Sequence, residues 1–252
     1  LTPPYPAQPD MVACDRWESA SISCEVYTAA AADLAPLSEL ARERVEAVLR
    51  TCRALRETDA AAGALGDDLI DAGLSASRLS GGLLADLLPA AAHHARTCAE
   101  ARASLSGADF DLAPIAMAWA ADRIADESLI RLGIACLINL DGNRSVRGCP
   151  PPGGWQIVLE DGQPSSRAHK PIPLWSGGLA SAARPATDST HPQSGSWRTA
   201  TVAAPTCERA KAAALTALEL GDAAPRWLTQ RGLAARLVHT GGICVQTHGW
   251  AV

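Results

Sequence analysis

The sequence predicts an α+β fold in one continuous domain, and three observations carry that prediction. Segments with apolar residues at three- and four-residue steps interleave with short apolar runs, so helices and strands alternate. The turns Asp141-Gly142-Asn143 and Gly241-Gly242 are hairpin signals, which pair strands antiparallel. Apolar residues make up 48% of the 252 positions, enough for a full core, and charged residues only 19%, too few for a disordered chain.

Residues 1–12 read as a flexible Pro-rich extension, with prolines at 3, 4, 6 and 9, and 13–252 as the domain. From Trp17 to Tyr27, Ala20, Ile22, Cys24 and Val26 partly alternate with polar neighbours, which predicts one strand. A long helix follows, because Leu37, Leu40, Ala41, Val45, Val48, Leu49, Cys52 and Leu55 recur at helical spacing behind Pro36. Residues 58–82 carry no periodicity, and a second helix is expected over 83–104 with Pro89 as kink or boundary. A third helix runs from Pro114 to Leu132 and stops at Gly133. Ile134–Leu140 is a strand ending in the tight turn at Asp141. Further strands are expected at Trp155–Leu159, Pro171–Trp175 and Arg198–Ala204, with 176–197 as a loop. Thr206 caps a helix from Cys207 to Leu220 that Gly221 closes. A short helix at 224–231 leads into a final hairpin, Ala234–His239 with Ile243–Thr247. No internal repeat is visible.

Composition excludes several functions. A net charge of −5 without any block of Lys or Arg argues against nucleic acid or an anionic membrane as partner. No uncharged run approaches the roughly 18 apolar residues of a membrane span. The N-terminus shows no basic stretch followed by an apolar one, so a cytoplasmic protein is expected. None of the eight cysteines forms a CxxC pair or a zinc-type spacing. They read as reduced thiols, with Cys24, Cys52, Cys136 and Cys244 as small buried hydrophobes. No nucleophile elbow, P-loop or dinucleotide fingerprint occurs. Positive charge is nearly all arginine, which makes the only lysines, Lys170 and Lys211, unusual choices.

Several residues carry candidate chemistry. Asp188 and His191 lie three apart in a Pro/Gly-rich segment, where a carboxylate can orient an imidazole as general base, or Asp188 can simply close a turn. Asp141-Gly142-Asn143-Arg144 spells a type I′ turn that can also offer polar contacts to a substrate. Ser176, before a glycine pair and after Trp175, can belong to an anion-binding nest. Met117 and Trp119 are either core residues or the wall of an aromatic pocket. The adjacent His93 and His94 point apart on a helix and read as surface residues.

The order of motifs over more than half the chain resembles the ApbE family, flavin transferases that move FMN from FAD onto a Thr or Ser of a partner protein. Phe110-Asp-Leu-Ala-Pro-Ile-Ala-Met-Ala-Trp-Ala-Ala-Asp122 is similar to the family's LDLGxIAKGxAAD, and Ile138-Asn-Leu-Asp-Gly-Asn-Arg144 to its VNLGGDI turn. Trp175-Ser-Gly-Gly-Leu-Ala-Ser181 resembles SGGLATS. Thr201-Val-Ala-Ala-Pro205 with the following helix resembles VTVVAPTxxxADALAT, and His248-Gly-Trp250 closes the chain in the family's manner. The resemblance implies an ApbE-like α+β domain built to hold FAD and Mg²⁺.

The departures bear on that implication. Met117 and Ala118 stand where the family has lysine and glycine, and Asp141 and Asn143 where its turn has glycine and aspartate. A TDGxFDPT segment has no counterpart; only Cys98–Gly107 fills its place, which widens the expected cleft. The HxxDPxTG motif reads Asp188-Ser-Thr-His191-Pro192-Gln-Ser194-Gly195, with His and Asp exchanged. The family's Mg²⁺ is held by Asp and Thr four residues apart on one helix, and here those places read Lys211 and Leu215, with Thr216 one step off. Neither an ammonium nor an isobutyl group is a Mg²⁺ ligand. Lys211 is then either a solvated surface lysine or a fixed cation standing in for the metal's charge.

The expected function is therefore metal-independent acid–base chemistry, such as cyclisation, isomerisation or elimination, on a small molecule of a biosynthetic pathway. Asp188, His191 and Lys211 are the catalytic candidates; Met117, Trp119, Asp141, Asn143, Arg144, Trp175 and Ser176 are the substrate-binding ones. No cofactor or metal is expected on this reading. The alternative is FAD:protein FMN transfer, with FAD, Mg²⁺ and a partner flavoprotein; a third reading is a non-catalytic flavin-binding or scaffold protein.

Overall fold

The structure, a computed structural model, describes residues 12–62, 113–159, 171–184 and 197–250. The expected extension (apart from Val12, which packs against the core), the expected second helix, and His93 and His94 lie outside the described residues. The chain opens with a hairpin, β1 (Ala13–Ser19) and β2 (Ile22–Thr28), paired in register from Ala13↔Thr28 to Ser19↔Ile22. This corrects the single strand expected there. The reversal falls on Ala20 and Ser21, both at positive φ (48° and 66°), a conformation that non-glycine residues rarely adopt, so no Gly or Asn marks it.

Helix α1 (Leu34–Ala62) buries Leu37, Leu40, Ala41, Val45 and Val48, the stripe that its periodicity predicts. Helix α2 (Ala113–Glu127) runs into a π turn, Ser128–Leu132, and ends at Gly133 in the left-handed conformation. The gain in width has an anchor, since Ser128 Oγ donates to the Ile134 carbonyl at 3.0 Å. Strands β3 (Cys136–Leu140) and β4 (Asn143–Arg147) form the next hairpin, and β5 (Trp155–Ile157) pairs with β6 (Ile172–Leu174).

Strand β7 (Gly177–Ala183) occupies a segment expected to be a loop. Its sequence, GGLASAA, has no β-branched residue, so strand propensity does not reveal it. What places it is packing. A side chain on Gly178 would collide with the backbone of Thr206 and Cys207, so only glycine lets α3 (Cys207–Leu220) rest directly on the strand. Strand β8 (Trp197–Ala204), helix α4 (Ala224–Gln230), β9 (Ala234–His239) and β10 (Cys244–Gln246) complete the order. The caps of α3 are as expected: Thr206 Oγ1 accepts the Arg209 N–H at 3.3 Å, and Gly221 follows the last residue.

Eight strands form one antiparallel sheet in the order β1-β2-β3-β4-β7-β8-β9-β10, so the fold class is α+β. The helices cover one face, and the β5–β6 pair covers part of the other. Alternation along β3 sorts the layers: Cys136, Ile138 and Leu140 meet α1 and α2, while Leu137 joins Trp155, Ile157 and Leu174 on the opposite side. Under α3 and α4 a second cluster of small residues, Ala200, Ala214, Ala217 and Ala235, closes against Leu228 and Leu237.

None of the seven described cysteines is in a disulfide. Cys24 and Cys136 are buried as expected, and burial raises both thiols to about 11. Cys52 is half-buried. Cys244 is exposed, against expectation, because β10 is the sheet's short last strand with only β9 beside it. Among the described residues no helix is long and apolar enough to cross a membrane.

Candidate functional site

The β3–β4 turn has the expected type I′ form, with Asp141 at φ 51° and Gly142 at φ 80°. Side chains pin it from both faces of the sheet. The Asp141 N–H donates to Ser23 O at 2.7 Å, and Asn139 Oδ1 accepts the Gly142 N–H at 3.0 Å. Asn143 Nδ2 donates to Leu140 O at 2.8 Å, and Arg144 donates to Gly142 O at 3.1 Å. Beneath the turn lies a polar network that sequence reasoning missed. Asn139 Nδ2 (2.7 Å) and the Tyr27 hydroxyl (2.9 Å) both donate to Glu25 Oε2, while Arg16 pairs with Oε1 at 3.2 Å. The signal was available: Glu25 and Asn139 interrupt apolar runs that otherwise read as core.

Strand β7 outruns β4. The ladder between them ends at Asn143↔Ala180, and Ser181 lies one residue beyond it. Lys211, one turn into α3, fills that corner: its Nζ donates to the Ser181 carbonyl at 2.6 Å. The residue is only 9% exposed, so the solvated reading is corrected. No carboxylate lies within ion-pair distance of Lys211 among the described residues. Burial lowers its pKa, and the electrostatic influence of Cys207 and Asp141 opposes that shift. Asn143, 2% exposed, stands on the same helix-covered side, and its Oδ1 has no donor among the described residues.

A pH signature follows from the lysine. With the folded pKa lowered below the ordinary 10.5, the unfolded chain holds the proton over a window in which the native state has released it. Stability contributed by Lys211 therefore rises with pH through that window. In parallel unfolding titrations between pH 7 and 10.5, wild type is expected to gain on Lys211→Met as pH increases. Parallel curves would place the amine in water.

Asp122, on α2, ties three elements together. Its Oδ1 accepts from Ser145 Oγ (2.7 Å) and the Cys207 N–H (3.0 Å), and its Oδ2 from the Glu208 N–H (3.0 Å). Arg147 completes the cluster at 3.3 Å and also bonds Asp126 at 2.6 Å. Burial pushes the Asp122 carboxyl up, while these donors pull it down. Two backbone N–H groups at the start of α3 thus point at an acid of the chain itself.

The remaining sequence candidates divide. Met117 (4% exposed) and Trp119 (7%) pack in the core with Ile115 and Ile124, the first of their two readings. Trp175 is exposed, and Ser176 lies at the start of β7, five residues from Ser181, about 16 Å along a strand. There Ser176 lines a groove of about 630 Å³ with Arg147, Gly148, Gly177 and Pro205. The structure therefore brings Asp141 and Asn143 to the corner of Lys211, places Arg144 at the same turn on the opposite face of the sheet, and sets Trp175 and Ser176 apart from them. Asp188 and His191 lie outside the described residues. The strand ends that flank their segment, Ala183 and Trp197, stand at the same end of the sheet as the β3–β4 turn.

The Mg²⁺ that the family resemblance implies does not fit these residues. One ligand position carries the buried ammonium of Lys211, and the other carries Leu215, which packs against both helix-side cores. Among the described residues no group of three His, Cys, Asp or Glu side chains can hold a metal ion.

No family model and no curated protein sequence matches the chain. Solved structures do match it over nearly its whole length. The apo form of the Pseudomonas stutzeri flavinyl transferase ApbE aligns with 94% of this chain and 94% of its own, at TM-score 0.61 and 20% identity. The Vibrio cholerae flavin transferase ApbE aligns over 95% and 98%, at TM-score 0.63 and 14% identity. The Thermotoga maritima ApbE protein aligns over 94% and 97%, at TM-score 0.57 and 14% identity. The expected ApbE-like fold is the one observed.

Proposed function

We propose that this ApbE-type domain handles a small anionic organic molecule without a divalent ion, the Lys211 ammonium meeting the ligand's negative charge. One observation carries the reading: a buried amine with a single carbonyl acceptor and no paired carboxylate among the described residues. An unpaired buried cation is costly, and an arriving anion relieves that cost. The chemistry we assign is acid–base. Asp188 orients His191, which takes a proton from one substrate atom and returns it to another, as in isomerisation or elimination. No oxidant is needed.

A second reading, FMN transfer from FAD to a partner flavoprotein, is favoured by the solved structures, which are named flavin transferases. Thermal unfolding with FAD plus Mg²⁺, FAD plus EDTA, and a panel of organic acids separates the two. The proposal expects organic acids to raise Tm with or without EDTA, and Lys211→Met to abolish the rise. Stabilisation by FAD only with Mg²⁺, or flavin incorporation into a partner protein, would establish the second reading instead.

A further inference from the structure

The corner that holds Lys211 also specifies which anion it takes, an inference that rests on the reading just proposed. Lys211 Nζ has three N–H groups and uses one on Ser181 O, which leaves two for a ligand. Asn143 is paired with Ala180, the residue before Ser181, so its side chain lies on the helix-covered side of the sheet, one strand position from the carbonyl that Lys211 bonds. Its Nδ2 is occupied by Leu140 O, while Oδ1, in a residue only 2% exposed, has no donor among the described residues. A buried acceptor of this kind calls for a donor.

Charge limits the anion. Among the described residues the buried corner carries one positive charge, that of Lys211, because Arg144 alternates onto the opposite face of the sheet with Asn139 and Glu25, and Asp141 is exposed. That charge offsets one negative charge and leaves a diphosphate, with at least two, uncompensated in a poorly solvated place.

We propose that the ligand presents one carboxylate to Lys211 and, on the neighbouring atom, a hydroxyl or amide N–H that donates to Asn143 Oδ1. The fitting class is thus a monocarboxylate with a donor beside the carboxyl group, as in a 2-hydroxy acid.

Two lysines in the whole chain make the test direct. Protein labelled with ¹³C at lysine Cε gives two signals, and Lys211→Met identifies which belongs to Lys211. The labelled full chain is titrated with lactate, propionate and inorganic pyrophosphate, each with and without Mg²⁺. Lactate is expected to move the Lys211 signal at a concentration about tenfold below that of propionate, the effect of one hydrogen bond to a buried group. Pyrophosphate is expected to bind more weakly than lactate in either condition. In Asn143→Ala the lactate advantage disappears while the response to propionate persists. The wild-type pair decides the matter even if that variant fails to fold. Equal affinities for lactate and propionate, or tighter binding of pyrophosphate, would overturn the inference and leave the anion reading standing. Silence of the Lys211 signal toward all three anions would overturn both.

Discussion

Asp122→Ala is expected to cost about 3–5 kcal/mol of stability, the range for removing one partner of a buried charged cluster. Four donors lose their acceptor at once: the Ser145 hydroxyl, two N–H groups at the start of α3, and the Arg147 guanidinium. Asp126 retains Arg147 at 2.6 Å, so the guanidinium keeps a partner, but the two helix N–H groups do not. Asp122→Asn keeps one acceptor oxygen and turns an NH₂ toward a donor, so it should fall between alanine and wild type. Urea unfolding at neutral pH, with m-values compared, measures both. A loss under about 1 kcal/mol for alanine would mean that α3 holds its place without the acid.

Gly178→Ala is the second large effect, and it is purely steric. The new methyl group would meet backbone atoms of Thr206 and Cys207, which cannot yield unless α3 lifts from β7. Overpacking typically costs about 1–3 kcal/mol, and a clash with backbone belongs at or above the top of that range. Gly142→Ala is the control. A methyl group there meets nothing within 4 Å, and the residue suffers only from its φ of 80°, a strain of about 1–2 kcal/mol. Tm values for the two variants should rank Gly178→Ala well below Gly142→Ala. The reverse order would show that α3 has room to move.

Legibility of the sequence followed local chemistry. Helix α3 was readable because Thr206 and Gly221 punctuate it, and the β3–β4 turn because Asp141-Gly142-Asn143 demands positive φ. The β1–β2 reversal was not, since Ala20 and Ser21 adopt that conformation without the residues that usually signal it. Strand β7 was hidden for a related reason: its glycines and alanines answer to the helix lying on it, a contact distant in sequence. The site divided along the same line. Lys211 stood out by its rarity and its helical register, but its burial depends on β4 ending before Ser181, which no local pattern records. Asp122 looked like one more acid on a mostly apolar helix until α3 arrived with its bare N–H groups.

Among the described residues the sheet does not close on itself, and β1 and β10 are its outer strands. Such strands template the addition of foreign strands, the first step toward fibrils. Along β1 the exposed Glu18 joins the Arg16–Glu25 and Asp15–Arg42 pairs, and at the other border the strand is just three residues long. Charge at one border and brevity at the other discourage growth of the sheet beyond a single chain.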